Sequence, residues 1–325
     1  MLTIRTDLAI EARELIEKDY PKEIPGVEVD VDKSEDIKIT RVKIKTEEAV
    51  DIMGKPIGDY VTLEVPRLRE KDVILQEEVS KNFADEIMNL THLSDNAATM
   101  VIGLGNWNVT PDSLGPKVVE KLLITRHIID ESEEGNTERK LGSLCAFSPG
   151  VLGITGIESG EIIQGVVEKI KPDLVIAIDA LASRSMSRVS TTIQISNTGI
   201  HPGSGIGNKR MAITEDNLGV PVIAIGIPTV VDAPTMANDT IDMLLDTLIA
   251  QTQEGSSFYN LLKQTDKVEK YRLIKEVISP FVGNLMVTPK EIDTIIEDLS
   301  RILAGGLNTA LHPGITFDEV TRYLQ

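Results

Sequence analysis

Two aspartates occupy positions where an open α/β sheet places its chemistry. Asp112 lies in the motif Gly103-Leu-Gly-Asn-Trp-Asn-Val-Thr-Pro-Asp-Ser-Leu-Gly-Pro116. The motif leaves a strand predicted over 99–104 and enters a helix predicted over 112–127. Asp179 directly follows the apolar run 174–178, Leu-Val-Ile-Ala-Ile, and is expected at the carboxyl end of its strand. Open sheets carry their sites at such ends. Adjacent parallel strands would bring both side chains into one crevice. Two neighbouring carboxylates cannot both ionise easily, so they share a proton. One then serves as general base for a water and the other as general acid. The same pair could instead hold a divalent metal through oxygen ligands. Taken singly, each has a plain alternative. Asp112 reads as a first-turn helix acid behind Pro111, and Asp179 as a structural strand-end residue.

A third segment, Gly199-Ile-His-Pro-Gly-Ser-Gly-Ile-Gly-Asn-Lys-Arg210, holds four glycines, His201, and then Lys209 and Arg210. It is a flexible, locally basic loop that could receive a phosphate or an acidic side chain. A plain surface loop has the same composition. Nucleotide motifs are incomplete: position 108, where a dinucleotide fingerprint needs its third glycine, is Asn108, and no Gly-Lys-Ser/Thr follows the glycine-rich loop. His92, His127 and His312 stand isolated, without metal-ligand spacing. The single cysteine, Cys145, excludes an internal disulfide and a multi-cysteine metal site, and reads as a buried thiol.

The elements that must hold these residues follow from periodicity. Residues 8–19 read as a short charged helix ended by Pro21, Pro25 and Gly26. Residues 37–44 and 60–65 alternate apolar and polar side chains and predict a hairpin turning at 54–58. Residues 70–90 read as a helix. Continuous Val/Ile strands at 99–104, 174–178 and 222–226 then alternate with helices at 112–127, 158–170 and 239–253. That pattern indicates a parallel sheet covered on both faces. Residues 257–273 and 289–303 are amphipathic helices, the second expected to stop at Gly305-Gly306. The expected fold is a three-layer α/β/α domain with a mostly parallel central sheet, a small β insertion near the N-terminus and a helical C-terminal region.

Charge narrows the partners. The chain has 325 residues, with 33 Lys+Arg against 51 Asp+Glu and a formal charge of −18. Nucleic acid and anionic membranes both demand basic surface, so neither is expected as a direct partner. Aromatics are too sparse, at 3%, for base-stacking platforms. Residues 1–20 carry charges throughout and show no secretion signal. No run approaches a membrane span. A cytoplasmic protein is expected.

The residues now on the page resemble the germination protease family of endospore-forming bacteria. The carriers are Arg5-Thr-Asp-Leu-Ala-Ile-Glu-Ala12, the 103–116 motif, Ile176-Ala-Ile-Asp-Ala-Leu181, Thr198 with the glycine-rich loop, and Ile227-Pro-Thr-Val-Val-Asp232. The resemblance spans nearly the whole chain. It implies an endopeptidase of the spore core that degrades small acid-soluble spore proteins, a fold similar to hydrogenase-maturation peptidases, and a homotetramer. It also implies that Asp112 and Asp179 are the family's two essential carboxylates. The family is grouped with atypical aspartic peptidases, so no cofactor and no metal is expected. Matching acidic positions bind nickel in the hydrogenase-maturation peptidases, so a metal-dependent peptidase on the same two aspartates is the alternative. The family is made as a zymogen that cuts after an acid and before a hydrophobic residue followed by Ala. Asp7-Leu8-Ala9 satisfies that pattern. The resemblance thus implies a cut between Asp7 and Leu8, with residues 1–7 as propeptide and 8–325 as one catalytic domain. Ile4 departs from the acid the family favours three residues before the cut. An acidic residue before the cut needs a cationic partner. Arg184, Arg188, Lys209 and Arg210 are the candidates, with His201 beside them in the substrate-binding set.

Overall fold

The computed structural model describes residues 8–16, 24–91, 93–94, 97–131, 141–202, 211–257, 259–260, 267–283 and 285–324. The strands are β1 (Val27–Lys33), β2 (Lys38–Ile44), β3 (Gly58–Glu64), β4 (Ala98–Gly103), β5 (Ser143–Phe147), β6 (Leu174–Ser183), β7 (Thr192–Ser196), β8 (Val222–Asp232) and β9 (Met286–Val287). The helices begin with α1 (Ala9–Ile16), α2 (Glu47–Met53), α3 (Val73–Thr91), α4 (Leu114–Glu120), α5 (Arg126–Glu131) and α6 (Leu152–Thr155). They continue with α7 (Ser159–Ile170), α8 (Glu215–Leu218), α9 (Ala233–Gln251), α10 (Lys267–Val282), α11 (Ile292–Leu311) and α12 (Phe317–Leu324).

Among the described residues all nine strands join one sheet in the order β1-β2-β3-β7-β8-β6-β4-β5, with β9 on β8. The run β8-β6-β4-β5 is parallel. The run β1-β2-β3-β7-β8 is antiparallel. Sequence explains the division. β4, β6 and β8 are Val/Ile-rich and buried almost from end to end, as strands covered on both faces must be. β1 is largely exposed at the edge and carries acidic side chains, which blunt it against further pairing. The expected β insertion is present and larger than a hairpin. β2 and β3 pair with Lys38 opposite Glu64, α2 sits between them, and β3 docks on β7 to merge with the main sheet.

Helices cover both faces. Leu114 and Val118 of α4, Phe83 of α3 and Ile296 and Leu303 of α11 pack on Ile176, Ile178, Ile223 and Ile225 of the sheet. On the other face Ile163 and Val167 of α7 meet Met100, Ile102, Val175 and Ala177. Farther along that face, Ala9 and Ala49 pack on Val42, Ile44 and Tyr60. Two expectations on helices change. The helix expected over 112–127 is a 3₁₀ turn, Thr110–Asp112, followed by α4 and α5. Gly305-Gly306 does not end a helix, because α11 runs through to Leu311. A Cβ on Gly306 would stand 2.4 Å from Phe83 Cδ1 and 2.8 Å from Ser80 O. The glycine lets α11 and α3 approach closely.

Candidate active site

Asp112 ends the 3₁₀ turn beyond β4, half-buried. Its backbone is pinned twice: the Asp112 N–H donates to Val109 O at 2.8 Å, and the Asn106 N–H donates to Asp112 O at 3.0 Å. Gly105, at φ 113°, closes that loop, since a Cβ there would sit 1.9 Å from Asp112 O. Asp179 is buried in β6, and its Oδ1 accepts the Ala180 N–H at 2.9 Å. One backbone crossing ties the two residues together. The Leu104 N–H donates to Ile178 O at 2.8 Å, and a Cβ on Gly115 would stand 2.4 Å from Leu104 O and 2.7 Å from Ile178 O. Gly115 is three residues after Asp112, and Ile178 immediately precedes Asp179. The 3₁₀ turn lies beside β6 and β8. Asp179 does not end its strand as expected: β6 goes on pairing with β8 to Ser183, and Asp179 stands one residue past the level where the shorter β4 ends, Gly103 opposite Ile178.

The start of the described chain lies on the Asp179 face of the sheet. Leu8 and Ala9 are fully buried. Gln194 Oε1 accepts the Ala9 N–H at 2.6 Å. Leu8 and Ile10 cluster with Leu181. Glu11, 4% exposed, accepts from Ser183 Oγ at 3.1 Å and from the Arg184 N–H at 3.3 Å. Arg188 makes a two-point bridge to Glu14 at 2.6 and 2.9 Å and reaches Glu64 at 3.3 Å and Glu11 at 3.5 Å. Burial works against its charge, yet Glu14, Glu11 and Glu64 hold its pKa above the ordinary guanidinium value. The Arg188 charge is therefore met by carboxylates of its own chain.

Arg184 differs. Its Nη1 is buried and finds no hydrogen-bond acceptor among the described residues. Its guanidinium carbon lies 6.0 Å from the Tyr271 ring centroid, a cation–π distance. Nearby Asp239 accepts the Met186 N–H at 3.0 Å. Burial raises its pKa, and that hydrogen bond only partly offsets the rise. A half-buried guanidinium with one buried, unfilled donor suits an incoming carboxylate.

The remaining candidates scatter. His201 is exposed just after the Ile200–Ile213 bridge. Lys209, Arg210 and Asp7 lie outside the described residues. Cys145 sits half-buried on β5 with Sγ 3.8 Å from Thr99 O. Among the described residues no three of His, Cys, Asp and Glu group closely enough to hold a metal ion. The two aspartates alone fall short of the three protein ligands usual in a catalytic zinc site. Sequence reasoning missed Gln194, Leu181 and Glu11. Gly226, a glycine inside a buried strand, was the available signal, since it marks a close approach.

Comparison with known proteins agrees along the chain. The family model described as germination protease matches residues 6–265 and 246–324. A germination protease of Caldanaerobacter subterraneus subsp. tengcongensis is 55% identical over 100% of this chain and 99% of its own. That of Bacillus subtilis is 46% identical over 98% and 96%. Among solved structures, a NiFe hydrogenase maturation protease from Thermococcus kodakarensis is 17% identical over 42% of this chain and 76% of its own, with a TM-score of 0.26, too slight a likeness to argue from. No helix among the described residues is long and apolar enough to cross a membrane. With matches of this identity over its full length, the chain belongs to the germination protease family and is a peptidase.

Proposed function

We propose that this chain is a self-processing endopeptidase in which Asp112 and Asp179 divide the acid and base roles of a water attack. The observation that carries the reading is the Gly115–Ile178 crossing, which sets the backbone three residues after Asp112 against the residue before Asp179. One carboxylate takes a proton as the water oxygen bonds to the scissile carbonyl carbon. The other carboxyl group gives its proton to the departing amide nitrogen as the C–N bond breaks. Substrates are small acid-soluble spore proteins, met in the spore core as extended chains. The cut follows an acidic residue and precedes a hydrophobic residue and Ala. Arg184 is the first candidate for the acidic side chain, on the strength of its unfilled buried donor. Lys209, Arg210 and His201 complete the proposed substrate contacts, while Arg188 is engaged by Glu14, Glu11 and Glu64 of its own chain. The working form is residues 8–325 as one catalytic domain, released by a cut between Asp7 and Leu8 and assembled as a homotetramer.

Intact mass followed over time at mildly acidic pH tests this. Wild type loses residues 1–7, Asp112→Asn keeps them, and a strong chelator changes neither result. Processing blocked by chelator would transfer the chemistry to a metal. Processing of Asp112→Asn at the wild-type rate would remove Asp112 from the mechanism.

A further inference from the structure

We propose that Gln194 and Leu181 form a seat for the chain's own start beside Asp179, which makes Gln194 a positioning residue for self-processing. The inference rests on the proposed cut between Asp7 and Leu8.

Register brings the parts together. Asp179 on β6 pairs with Gly226 on β8, and Gly226 pairs with Gln194 on β7. Directly paired residues point to the same face, so Asp179 and Gln194 flank a glycine on one row. Adjacent strands are about 4.8 Å apart, which puts the two Cα atoms roughly 10 Å apart. The row thus carries a carboxylate on one side of the glycine and an amide on the other. Gly226 leaves its side-chain space to Leu181. A Cβ there would stand 2.4 Å from Leu181 Cδ1 and 2.6 Å from Leu181 Cγ. Leu181 instead lies across the bare strand and supplies the apolar floor for Leu8 and Ile10.

Order along the chain gives the direction. Leu8 and Ile10 meet Leu181, Glu11 meets Ser183 and the Arg184 N–H, and Glu14 meets Arg188. The segment therefore runs the same way as β6, with its Leu8 end toward Asp179. The nitrogen of Leu8 is the leaving group of the proposed cut. The next amide, that of Ala9, is the one Gln194 holds. Leu8 buried on Leu181, and Ala9 fully buried against Val42, Ile44 and Tyr60, also give a physical reason for a hydrophobic residue followed by alanine after the cut.

The test uses the full chain and reads the rate of loss of residues 1–7 together with the thermal midpoint. Leaving the buried Ala9 N–H without an acceptor costs a factor of about 10 to 100, so Gln194→Leu slows processing by that much. Gln194→Glu keeps an acceptor oxygen and holds the rate within about fivefold. Ala9→Pro deletes the donor itself at the first helical position, which tolerates proline, and slows processing from the other side of the same hydrogen bond. Wild-type rates in both Gln194→Leu and Ala9→Pro would overturn the proposal. Equal slowing in Gln194→Leu and Gln194→Glu, with midpoints lowered alike, would overturn it too by reducing Gln194 to a structural role. An Asp179→Asn chain processed at the wild-type rate would instead sink the two-aspartate reading on which this one rests.

Discussion

The two halves of the sheet solve different problems. The parallel half, β8-β6-β4-β5, brings strand ends together and uses glycine to let backbones touch there. Its aspartates sit where the short β4 ends beside the longer β6. The antiparallel half, with β3 and β7 at its centre, carries polar residues on a buried face: Thr40, Thr62, Gln194 and Ser196 are all covered. The chain's own first helix supplies Gln194 with the Ala9 N–H, whereas the buried Thr40 and Thr62 hydroxyls find no hydrogen-bond partner among the described residues. On the proposed mechanism the parallel half presents the chemistry, and the antiparallel half shares with the far end of β6 the task of holding the first helix.

The largest effect should fall in the parallel half and leave stability untouched. Asp112→Asn and Asp179→Asn are isosteric, and each is expected to lower cleavage of a spore-protein peptide by about 10³-fold, the scale of general acid–base catalysis. Thermal midpoints should stay near wild type. A variant retaining a tenth or more of the activity would break the division between a half that reacts and a half that holds.

The holding half should answer the other way. Arg188→Met leaves Glu11, 4% exposed, without its cation, and an uncompensated buried charge costs about 3 kcal/mol. Urea unfolding should show that loss, and adding Glu11→Met should recover part of it. A raised KM at unchanged stability would instead make Arg188 a substrate contact.

Glycine sharpens the contrast. Gly115→Ala drives a Cβ into Leu104 O and Ile178 O, which are backbone atoms that cannot swing aside. Overpacking of this kind costs about 2 kcal/mol, and activity should fall with it because the crossing is displaced. Gly54 caps α2 at φ 63° with open space around it. Gly54→Ala meets only the left-handed conformational penalty, about 1 kcal/mol, and should leave cleavage unchanged.

Legibility in the sequence divides along the same line. The run 174–178 and Asp179 can be read directly, because a strand buried on both faces is written as continuous Val and Ile. The helices over 73–91 and 159–170 follow from their apolar spacing. β7 is harder. Thr192-Ile-Gln-Ile-Ser196 alternates as a half-exposed strand would, yet every residue is buried. Its polar face is covered in part by a helix that starts at residue 9, and no local window contains that contact. Gly305-Gly306 misleads for a similar reason. Glycine ordinarily punctuates a helix, but here its absent side chain is a contact with Phe83, more than two hundred residues away.

The smallest expected effect is a pH slope in the parallel half. His312 is fully buried after α11, with Nε2 2.9 Å from Leu123 O. Burial pushes its pKa below the ordinary 6.5, although the Leu123 and Gly142 carbonyls pull the other way. The unfolded chain therefore takes up a proton at a pH where the folded chain still refuses it. Stability contributed by neutral His312 is complete above about 6.5 and is lost as pH falls through that value toward the lower folded pKa. Thermal midpoints measured from pH 7.5 to 5 should decline for wild type. His312→Asn cannot titrate and should decline less over the same range. Equal slopes for the two proteins would place the pH sensitivity elsewhere. The contrast between the halves would then rest on the aspartates, Arg188 and the two glycines.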